Sequence, residues 1–283
     1  MASEIQEEKL QSLSSRSDPI TEISPVVALH CSGHDSHQWD FLRTLIEPSV
    51  PFHAFDLIGT PARGPWKGGF KFGLQDEAVA LIAHIARIGE PVHIVGHSYG
   101  GALGLHIAGN QPELVLSLCL YEPTSFSLLK TDQVEDGRLL KEIETLASDI
   151  QSAVEQGCSE FAASLYTDFW GGVGSWQTLS RARRQALADW IPKVVLDFQA
   201  LIDEPAQTRN VSVPTTLMLG SQSHPHTQRI VEILTRDLDQ AKLTEIPGAD
   251  HLGPFRFRDC VAGVIWRHLL EHSSTKDRSR ASA

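Results

Sequence analysis

The stretch VHIVGHSYGG, residues 92–101, joins a short apolar run to a glycine-rich run that has a serine at its centre. The run Val92–Val95 predicts a buried strand, and the pattern from Gly101 to Ala108 predicts a helix. Between them, residues 96–100 match G-x-S-x-G, in which small residues let the neighbouring chain approach a sharp strand-to-helix turn. The free N–H groups and the positive end of the helix favour negative charge beside the serine. The stretch therefore predicts that Ser98 is a nucleophile.

Short β-branched runs and longer helical patterns alternate on both sides of this turn. The predicted strands are Val26–His30, Phe52–Phe55, Val92–Val95, Leu116–Tyr121, Thr215–Leu219 and Lys242–Ile246. The predicted helices around them are Gln38–Ile46, Leu74–Ile88, Gly101–Ala108, Thr227–Leu238 and Phe257–His272. Strands that alternate with helices are typical of a parallel sheet covered by helices. The sequence thus predicts an α/β fold with a mostly parallel central sheet.

Strand patterns disappear between residues 126 and 207. Helical patterns such as Arg138–Glu155 and Ser180–Ile202 replace them, separated by the aromatic and glycine-rich segment 169–176. We therefore expect residues 21–125 and 208–272 to form one α/β core, with residues 126–207 inserted as a helical cap. The polar ends, residues 1–20 and 273–283, are predicted to be flexible.

Composition and charge narrow the class of protein. The 283 residues are 41% hydrophobic and 21% charged, which is enough apolar material for a sizeable core. With 24 basic and 35 acidic side chains the net charge is −11, so nucleic acid and anionic membranes are poor default partners. The four cysteines are far apart, the N-terminal stretch is polar, and no uninterrupted apolar run reaches about 18 residues. We expect a cytoplasmic, globular protein without a disulfide framework or zinc site.

A serine hydroxyl is a weak nucleophile at neutral pH and needs a histidine base that a third group orients. Among 13 histidines, His251 alone lies just beyond the last strand in a glycine-containing loop, so it is the predicted base. His97 precedes the nucleophile in a tight turn and is expected to point elsewhere. The cluster His30, His34 and His37 has neither a helix to align it nor a carboxylate partner, so no metal site is expected.

The acid that orients the histidine is harder to locate. In this arrangement it usually follows the strand before the histidine strand, but residues 219–224 (LGSQSH) contain no carboxylate. Asp250 adjoins His251 and cannot easily reach its Nδ1 atom. One strand earlier, Leu116–Tyr121 ends in Glu122, at the sheet edge beside the nucleophile strand. Glu122 is therefore the predicted acid. The alternatives are that Glu122 only caps the following turn, or that the histidine works with a water or a neutral partner.

Together these features resemble the α/β-hydrolase fold family, in particular its esterase-like members with a helical cap. The resemblance runs from about residue 26 to residue 270 and is carried by LHCSG (29–33) with Trp39, DLIG (56–59), the turn at Ser98, and GADH (248–251). It implies that the backbone N–H of Tyr99 and an N–H from the first loop, that of Ser32, hold an oxyanion. Because Cys31 stands where the family usually has glycine, Cys31 is the alternative second donor.

Cys31, Trp170 and Phe169 are the predicted substrate-binding residues, since large aromatics beside hinge-like glycines suit a lid over a site. The predicted function is hydrolysis of an ester-like bond in a small, hydrophobic substrate, without a metal or organic cofactor. Lactonase, thioesterase, amidase, carbon–carbon bond hydrolase and perhydrolase chemistry share these catalytic residues and stay open. A small-molecule receptor that keeps the fold and signals through its cap is the alternative from another class. The oligomeric state is left open.

Overall fold

A computed structural model describes residues 23–47, 50–68 and 71–273 of the chain. Within these residues, one sheet is formed by strands β1 (Val26–Leu29), β2 (Phe52–Phe55), β3 (Val92–His97), β4 (Val115–Tyr121), β5 (Thr215–Gly220) and β6 (Ala241–Ile246). Every neighbouring pair is parallel, and the order across the sheet is β2-β1-β3-β4-β5-β6. The predicted α/β architecture with a parallel central sheet is confirmed.

Ten α-helices accompany the strands in the described part of the chain. They are α1 (Asp40–Ile46), α2 (Leu74–Ile88), α3 (Tyr99–Asn110), α4 (Val134–Glu155), α5 (Ser159–Gly171), α6 (Ser175–Thr178), α7 (Arg181–Asp203), α8 (Pro225–Asp237), α9 (Gly253–Arg256) and α10 (Arg258–Glu271). Short 3₁₀ turns lie at Ser36–Trp39, Pro112–Leu114, Phe126–Leu129 and Thr208–Asn210. Among these helices, none is long and apolar enough to cross a membrane. The cytoplasmic location stays a prediction.

Helices cover the sheet on both faces, because successive side chains of a strand point to opposite sides. Val27 and Leu29 of β1 pack into one buried cluster, together with residues of α2, α3 and α8. Val26 and Ala28 pack into a second cluster with residues of α1 and α10. This two-sided cover explains why β3 is buried along its whole length. The carboxyl ends of the strands are thus the places where loops can build a site.

Residues 126–207, all of which the structure describes, contain α4 to α7 and no strand. Helix α5 continues through Phe169 and Trp170 and ends at Gly171, so this aromatic pair lies on a helix. Ala162, Ala163 and Trp170 are buried on α5, and this packing extends the helix into the glycine-rich segment. The division into core and cap stays a prediction. Of the ends predicted to be flexible, residues 1–20 and 274–283 lie outside the described residues.

Two buried histidines share one serine in the sheet. His93 Nδ1 of β3 and His268 Nε2 of α10 lie 2.6 and 2.7 Å from the Oγ atom of Ser117. Burial lowers the pKa of His93 to about 4 and the pKa of His268 to about 3. An unfolded chain has histidine pKa values near 6.5, so at mildly acidic pH it binds protons that the folded protein does not. The free energy of unfolding should therefore fall as the pH drops below about 6.5.

We expect each of these two histidines to lower the free energy of unfolding by up to about 1.4 kcal/mol per pH unit between about pH 6 and pH 4.5. Urea unfolding followed by circular dichroism measures this slope. His268→Gln removes one titrating ring and should flatten the slope. His37→Gln should not flatten it, because His37 is exposed and its bond to Asp40 raises its pKa instead of lowering it. Equal slopes for the parent protein and His268→Gln would contradict the prediction.

Candidate active site

Ser98 occupies a strained turn between β3 and α3. Its φ angle of +54° is rare for a residue with a side chain and costs about 1–3 kcal/mol. Contacts with the surrounding structure must offset this strain. A Cβ atom on Gly100 would lie 2.4 Å from the backbone oxygen of Leu29, and one on Gly96 would lie 2.6 Å from the oxygen of Gly100. Both neighbours therefore have to be glycine. The N–H of Ser98 donates to the oxygen of Tyr121 on β4, which anchors the turn to the sheet.

The serine, histidine and glutamate predicted as a triad lie in one hydrogen-bonded line. His251 Nε2 is 3.1 Å from Ser98 Oγ, and His251 Nδ1 is 2.8 Å from Glu122 Oε2. All three side chains are buried. A carboxylate that is hydrogen-bonded to Nδ1 keeps the ring proton on that nitrogen, so Nε2 is free to accept a proton from the serine hydroxyl. The arrangement can therefore move a proton between Ser98 and His251.

Glu122 is fixed through both carboxylate oxygens at the carboxyl end of β4. The oxygen that does not face His251, Oε1, accepts the N–H of Gly220 at 2.9 Å and the hydroxyl of Ser223. Burial would raise the pKa of Glu122, but the hydrogen bonds from His251, Ser223 and Gly220 outweigh it and hold the pKa below its ordinary value. Glu122 is therefore ionised at neutral pH. Ser223 belongs to the LGSQSH loop, and nothing in the sequence signals its bond to a glutamate 101 residues away.

The His97 ring connects two loops of the site and makes no hydrogen bond to Ser98 among the described residues. His97 Nε2 lies 2.9 Å from the backbone oxygen of His251, and His97 Nδ1 lies 3.1 Å from Gln38 Nε2. Gln38 Oε1 in turn accepts the N–H of Cys31 at 3.0 Å. A carbonyl can only accept, so the ring proton is on Nε2 and every bond of this chain has a defined direction. Gln38 belongs to no motif, and nothing in the sequence singles it out.

Two backbone N–H groups are available to bind a negative charge beside Ser98. The N–H groups of Tyr99 and Ser32 have no hydrogen-bond partner in the part of the chain that the structure describes. The N–H of Cys31, the alternative donor, is already bonded to Gln38. Burial also raises the pKa of the Cys31 thiol to about 12, so the thiol stays protonated. The geometry thus favours Ser32 over Cys31 as the second donor.

The space around the three catalytic candidates has an inner and an outer part. Ser98 faces an inner chamber of about 10 Å³, whose lining includes Ser32, Thr124 and Asp197. The outer pocket has a volume of about 230 Å³ and is lined by Cys31, Ser32, Gly33, His34, His97, Tyr166, Thr167, Trp170, Leu179, Arg183, Leu187, His251, Leu252 and Phe255. Tyr166 and Trp170 line both spaces and therefore lie at the boundary between them.

The predicted substrate-binding residues are placed differently. Trp170 stacks on the buried ring of His251, with 4.1 Å between the ring centroids. Cys31 lines the outer pocket. Phe169 lines neither space among the described residues and instead stacks on His224 at 4.6 Å. Trp170 is therefore the aromatic residue of this pair that can contact a substrate.

The three histidines of the first loop have separate partners. His30 Nε2 accepts the N–H of Leu57 at 3.1 Å, and the His37 ring bonds to Asp40 at 2.9 Å. His34 packs its ring against Phe255, with centroids 4.7 Å apart. Within residues 23–47, 50–68 and 71–273, no group of three or more histidine, cysteine, aspartate or glutamate side chains could hold a metal ion.

Residues 26–262 match the alpha/beta hydrolase family. Among curated proteins, the chain is similar to Pimeloyl-(acyl-carrier protein) methyl ester esterase of Neisseria meningitidis serogroup B, with 25% identity over 88% of this chain and 93% of that protein. It is also similar to Lipase LipV of Mycobacterium tuberculosis, with 37% identity over 27% of this chain and 28% of the lipase. Among solved structures, a thermophilic esterase from Thermogutta terrifontis has a TM-score of 0.67 at 18% identity, covering 88% of this chain and 90% of that one.

Proposed function

The chain belongs to the alpha/beta hydrolase family and is an esterase-like hydrolase, and on that premise we propose that it cleaves an ester-like bond of a small, hydrophobic molecule through Ser98, His251 and Glu122. One observation carries the proposal. The Ser98 hydroxyl, the His251 ring and the Glu122 carboxylate are joined by hydrogen bonds of 3.1 and 2.8 Å in a buried site. This is the arrangement that a serine nucleophile needs in order to be deprotonated as it attacks.

The first half of the proposed reaction forms an acyl-enzyme. Ser98 Oγ attacks the substrate carbonyl carbon while His251 Nε2 takes the hydroxyl proton. The ionised Glu122 stabilises the imidazolium that results, because its carboxylate is hydrogen-bonded to the other ring nitrogen, Nδ1. The N–H groups of Tyr99 and Ser32 bind the oxyanion of the tetrahedral intermediate. When the intermediate collapses, the leaving alcohol takes the proton from His251.

The second half releases the acid product. A water molecule gives a proton to His251 Nε2 and attacks the acyl carbon, and the same two N–H groups bind the second oxyanion. Collapse of this intermediate returns the proton from His251 to Ser98 Oγ. Each proton transfer uses a residue of this chain, so the proposed cycle needs water and no cofactor.

Turnover of p-nitrophenyl acetate and butyrate tests the proposed function, together with labelling by a fluorophosphonate probe and mass spectrometry of the labelled peptide. We expect ester turnover, and a label on Ser98 that abolishes it. A label on Ser98 without ester turnover would favour other chemistry of the same residues, such as cleavage of a carbon–carbon bond in a diketone. Neither label nor turnover would reject the proposed catalysis and favour the receptor alternative.

The size of the pocket predicts a preference for short acyl chains. An outer pocket of about 230 Å³ is small, and Trp170 and Tyr166 line both this pocket and the chamber at Ser98. We expect kcat/KM for p-nitrophenyl butyrate to exceed that for the laurate by about tenfold or more. Trp170→Ala should shift this ratio toward laurate by about tenfold, because it removes one of the large aromatic side chains at the boundary between the two spaces.

Phe161→Ala is the matched control for this substitution, because Phe161 is an exposed aromatic residue on the same helix. Its ratio of butyrate to laurate turnover should equal that of the parent protein. A Trp170→Ala variant that keeps the parent ratio would show that Trp170 does not limit chain length. Kinetic constants for each ester, measured below its micelle concentration, provide the comparison.

A further inference from the structure

A buried ion cluster joins the helical region 126–207 to the α/β core. Lys193 on α7 has its Nζ atom 3.0 Å from Glu77 Oε2 on α2, and it also pairs with Asp197 one turn along α7. The three side chains are 5%, 3% and 1% exposed for Lys193, Glu77 and Asp197, respectively. Neither the proposed reaction nor the hydrogen-bonded line at Ser98 uses any of them.

Both ends of this cluster reach the residues that supply the two oxyanion N–H groups. The hydroxyl of Ser32 donates to Asp197 Oδ2 at 2.6 Å, over a sequence separation of 165 residues. At the other end, the phenol of Tyr99 lies 3.4 Å from Glu77 Oε2, and Lys193 Nζ lies 4.6 Å from the centre of the Tyr99 ring. The chain of contacts therefore runs from Ser32 through Asp197, Lys193 and Glu77 to Tyr99.

Further contacts from the same helical region hold the loop that carries Ser32. The Tyr166 hydroxyl of α5 donates to the backbone oxygen of Ser32 at 3.2 Å, and the Arg183 guanidinium of α7 donates to the backbone oxygen of Gly33 at 3.0 Å. The side chain and the carbonyl of Ser32 are thus both bonded to residues 126–207, while its N–H has no hydrogen-bond partner in the described chain. The position of that N–H depends on α5 and α7.

Stability alone is a weak reason for such a cluster. Removing charges from water costs several kcal/mol per ion, and well-packed apolar side chains often give equal or greater stability. Burial raises the pKa of Asp197, although the charge of Lys193 opposes the shift. The raised pKa reflects the cost of burying a carboxylate in the cluster. The cluster nevertheless provides directional bonds, and these lead to Ser32 and Tyr99.

We propose that Asp197 and Lys193 are positioning residues of the oxyanion hole, which fix the distance between the N–H groups of Ser32 and Tyr99 from the helical region above the site. The inference rests on the proposed serine hydrolase mechanism. Asp197 acts through the hydroxyl of Ser32, and Lys193 holds Asp197 and Glu77 at a constant separation. The oxyanion hole is consequently complete only when α7 is packed on the core.

A double-mutant cycle between Asp197 and Ser32 tests the proposal. Asp197→Ala and Ser32→Ala should each lower kcat for p-nitrophenyl acetate by about 10- to 100-fold with little change in KM. Both variants keep the N–H of residue 32 but lose the hydrogen bond that fixes its position. The double variant should lose no more than about threefold beyond either single variant, because both substitutions break the same contact. The inhibition constant of a trifluoromethyl ketone, which forms an oxyanion on Ser98, should rise by the same factor as kcat/KM falls.

Two further variants separate positioning from a general loss of structure. Asp197→Asn keeps a hydrogen-bonding group for the Ser32 hydroxyl and should recover about tenfold of the activity lost in Asp197→Ala. Asp149→Ala removes an exposed carboxylate from α4 and should match the parent protein. Titration of active sites with the fluorophosphonate probe gives the folded fraction of each preparation, so kcat is expressed per competent site.

The outcomes distinguish this inference from the function on which it rests. A parent protein that neither turns over esters nor takes the label overturns both. If the parent is active and Asp197→Ala keeps kcat within about threefold, the inference is wrong and the proposed function stands. Losses that multiply in the double variant also overturn it, since Asp197 would then act by a route other than Ser32.

Discussion

Replacing Ser98 by alanine is expected to lower kcat/KM for p-nitrophenyl acetate by about 10⁴-fold or more. The substitution removes the hydroxyl that lies 3.1 Å from the Nε2 atom of His251. The backbone N–H groups of Tyr99 and Ser32 stay in place, so a small rate above the uncatalysed reaction should remain. Initial rates over a range of substrate concentrations, corrected for spontaneous hydrolysis, measure the loss.

The control for Ser98→Ala is a serine of the same chain without a role in the site. Ser152 is exposed on α4, and Ser152→Ala should keep the parent rate. Thermal unfolding should show that Ser98→Ala is folded, because alanine has a Cβ atom like serine and experiences the same backbone strain. Residual turnover within about tenfold of the parent would exclude Ser98 as the nucleophile.

The same experiment extends to His251. His251→Ala should lower kcat/KM nearly as much as Ser98→Ala. The double variant should be no slower than either single variant, because a triad works as a unit. Losses that add would indicate two independent contributions to the rate, which the hydrogen-bonded line does not predict.

Much of this site was predictable because its signals are local in the sequence. Glycine is required at positions 100 and 96 because a Cβ atom there would lie 2.4 or 2.6 Å from a backbone oxygen, and such a requirement is visible as G-x-S-x-G. His251 and Glu122 each follow a β-strand at its carboxyl end, where parallel strands bring their loops together. The apolar strands and their order of alternation with helices therefore largely determine where these three side chains meet.

The supporting residues were not predictable in this way. Lys193 and Asp197 have the i, i+4 spacing of an ordinary surface pair on a helix, and only the packing of α7 against α2 buries them beside Glu77. Ser223 has a small side chain where a carboxylate was sought, and its bond to Glu122 crosses a sequence separation of 101 residues. Contacts of this kind depend on the completed fold, because no periodic pattern encodes them.

Glu122→Gln is expected to lower kcat by about 10³- to 10⁴-fold, although the two side chains have the same size. All three groups around the Glu122 carboxylate are donors: the His251 ring, the Gly220 N–H and the Ser223 hydroxyl. A glutamine amide accepts at one end only. If its NH₂ group faces His251, the ring proton moves to Nε2, which then cannot accept the proton of Ser98. If its NH₂ group faces Gly220 instead, this NH₂ group and the Gly220 N–H are both donors, and the hydrogen bond between residues 122 and 220 is lost.

The LGSQSH loop supplies a sharper test of the same residue. Because Ser223 already bonds to Glu122 Oε1, an aspartate at position 223 would place a carboxylate near the space that Glu122 leaves when it is replaced by alanine. We expect the variant that combines Glu122→Ala with Ser223→Asp to have a kcat at least about tenfold higher than Glu122→Ala alone. Ser223→Ala in the parent protein should lower kcat by less than about tenfold. Such a rescue would not occur if Glu122 only capped the turn after β4, since a carboxylate on β5's loop does not restore that turn. A Glu122→Gln variant that keeps kcat within about tenfold of the parent would instead assign the orientation of His251 to water or a neutral partner.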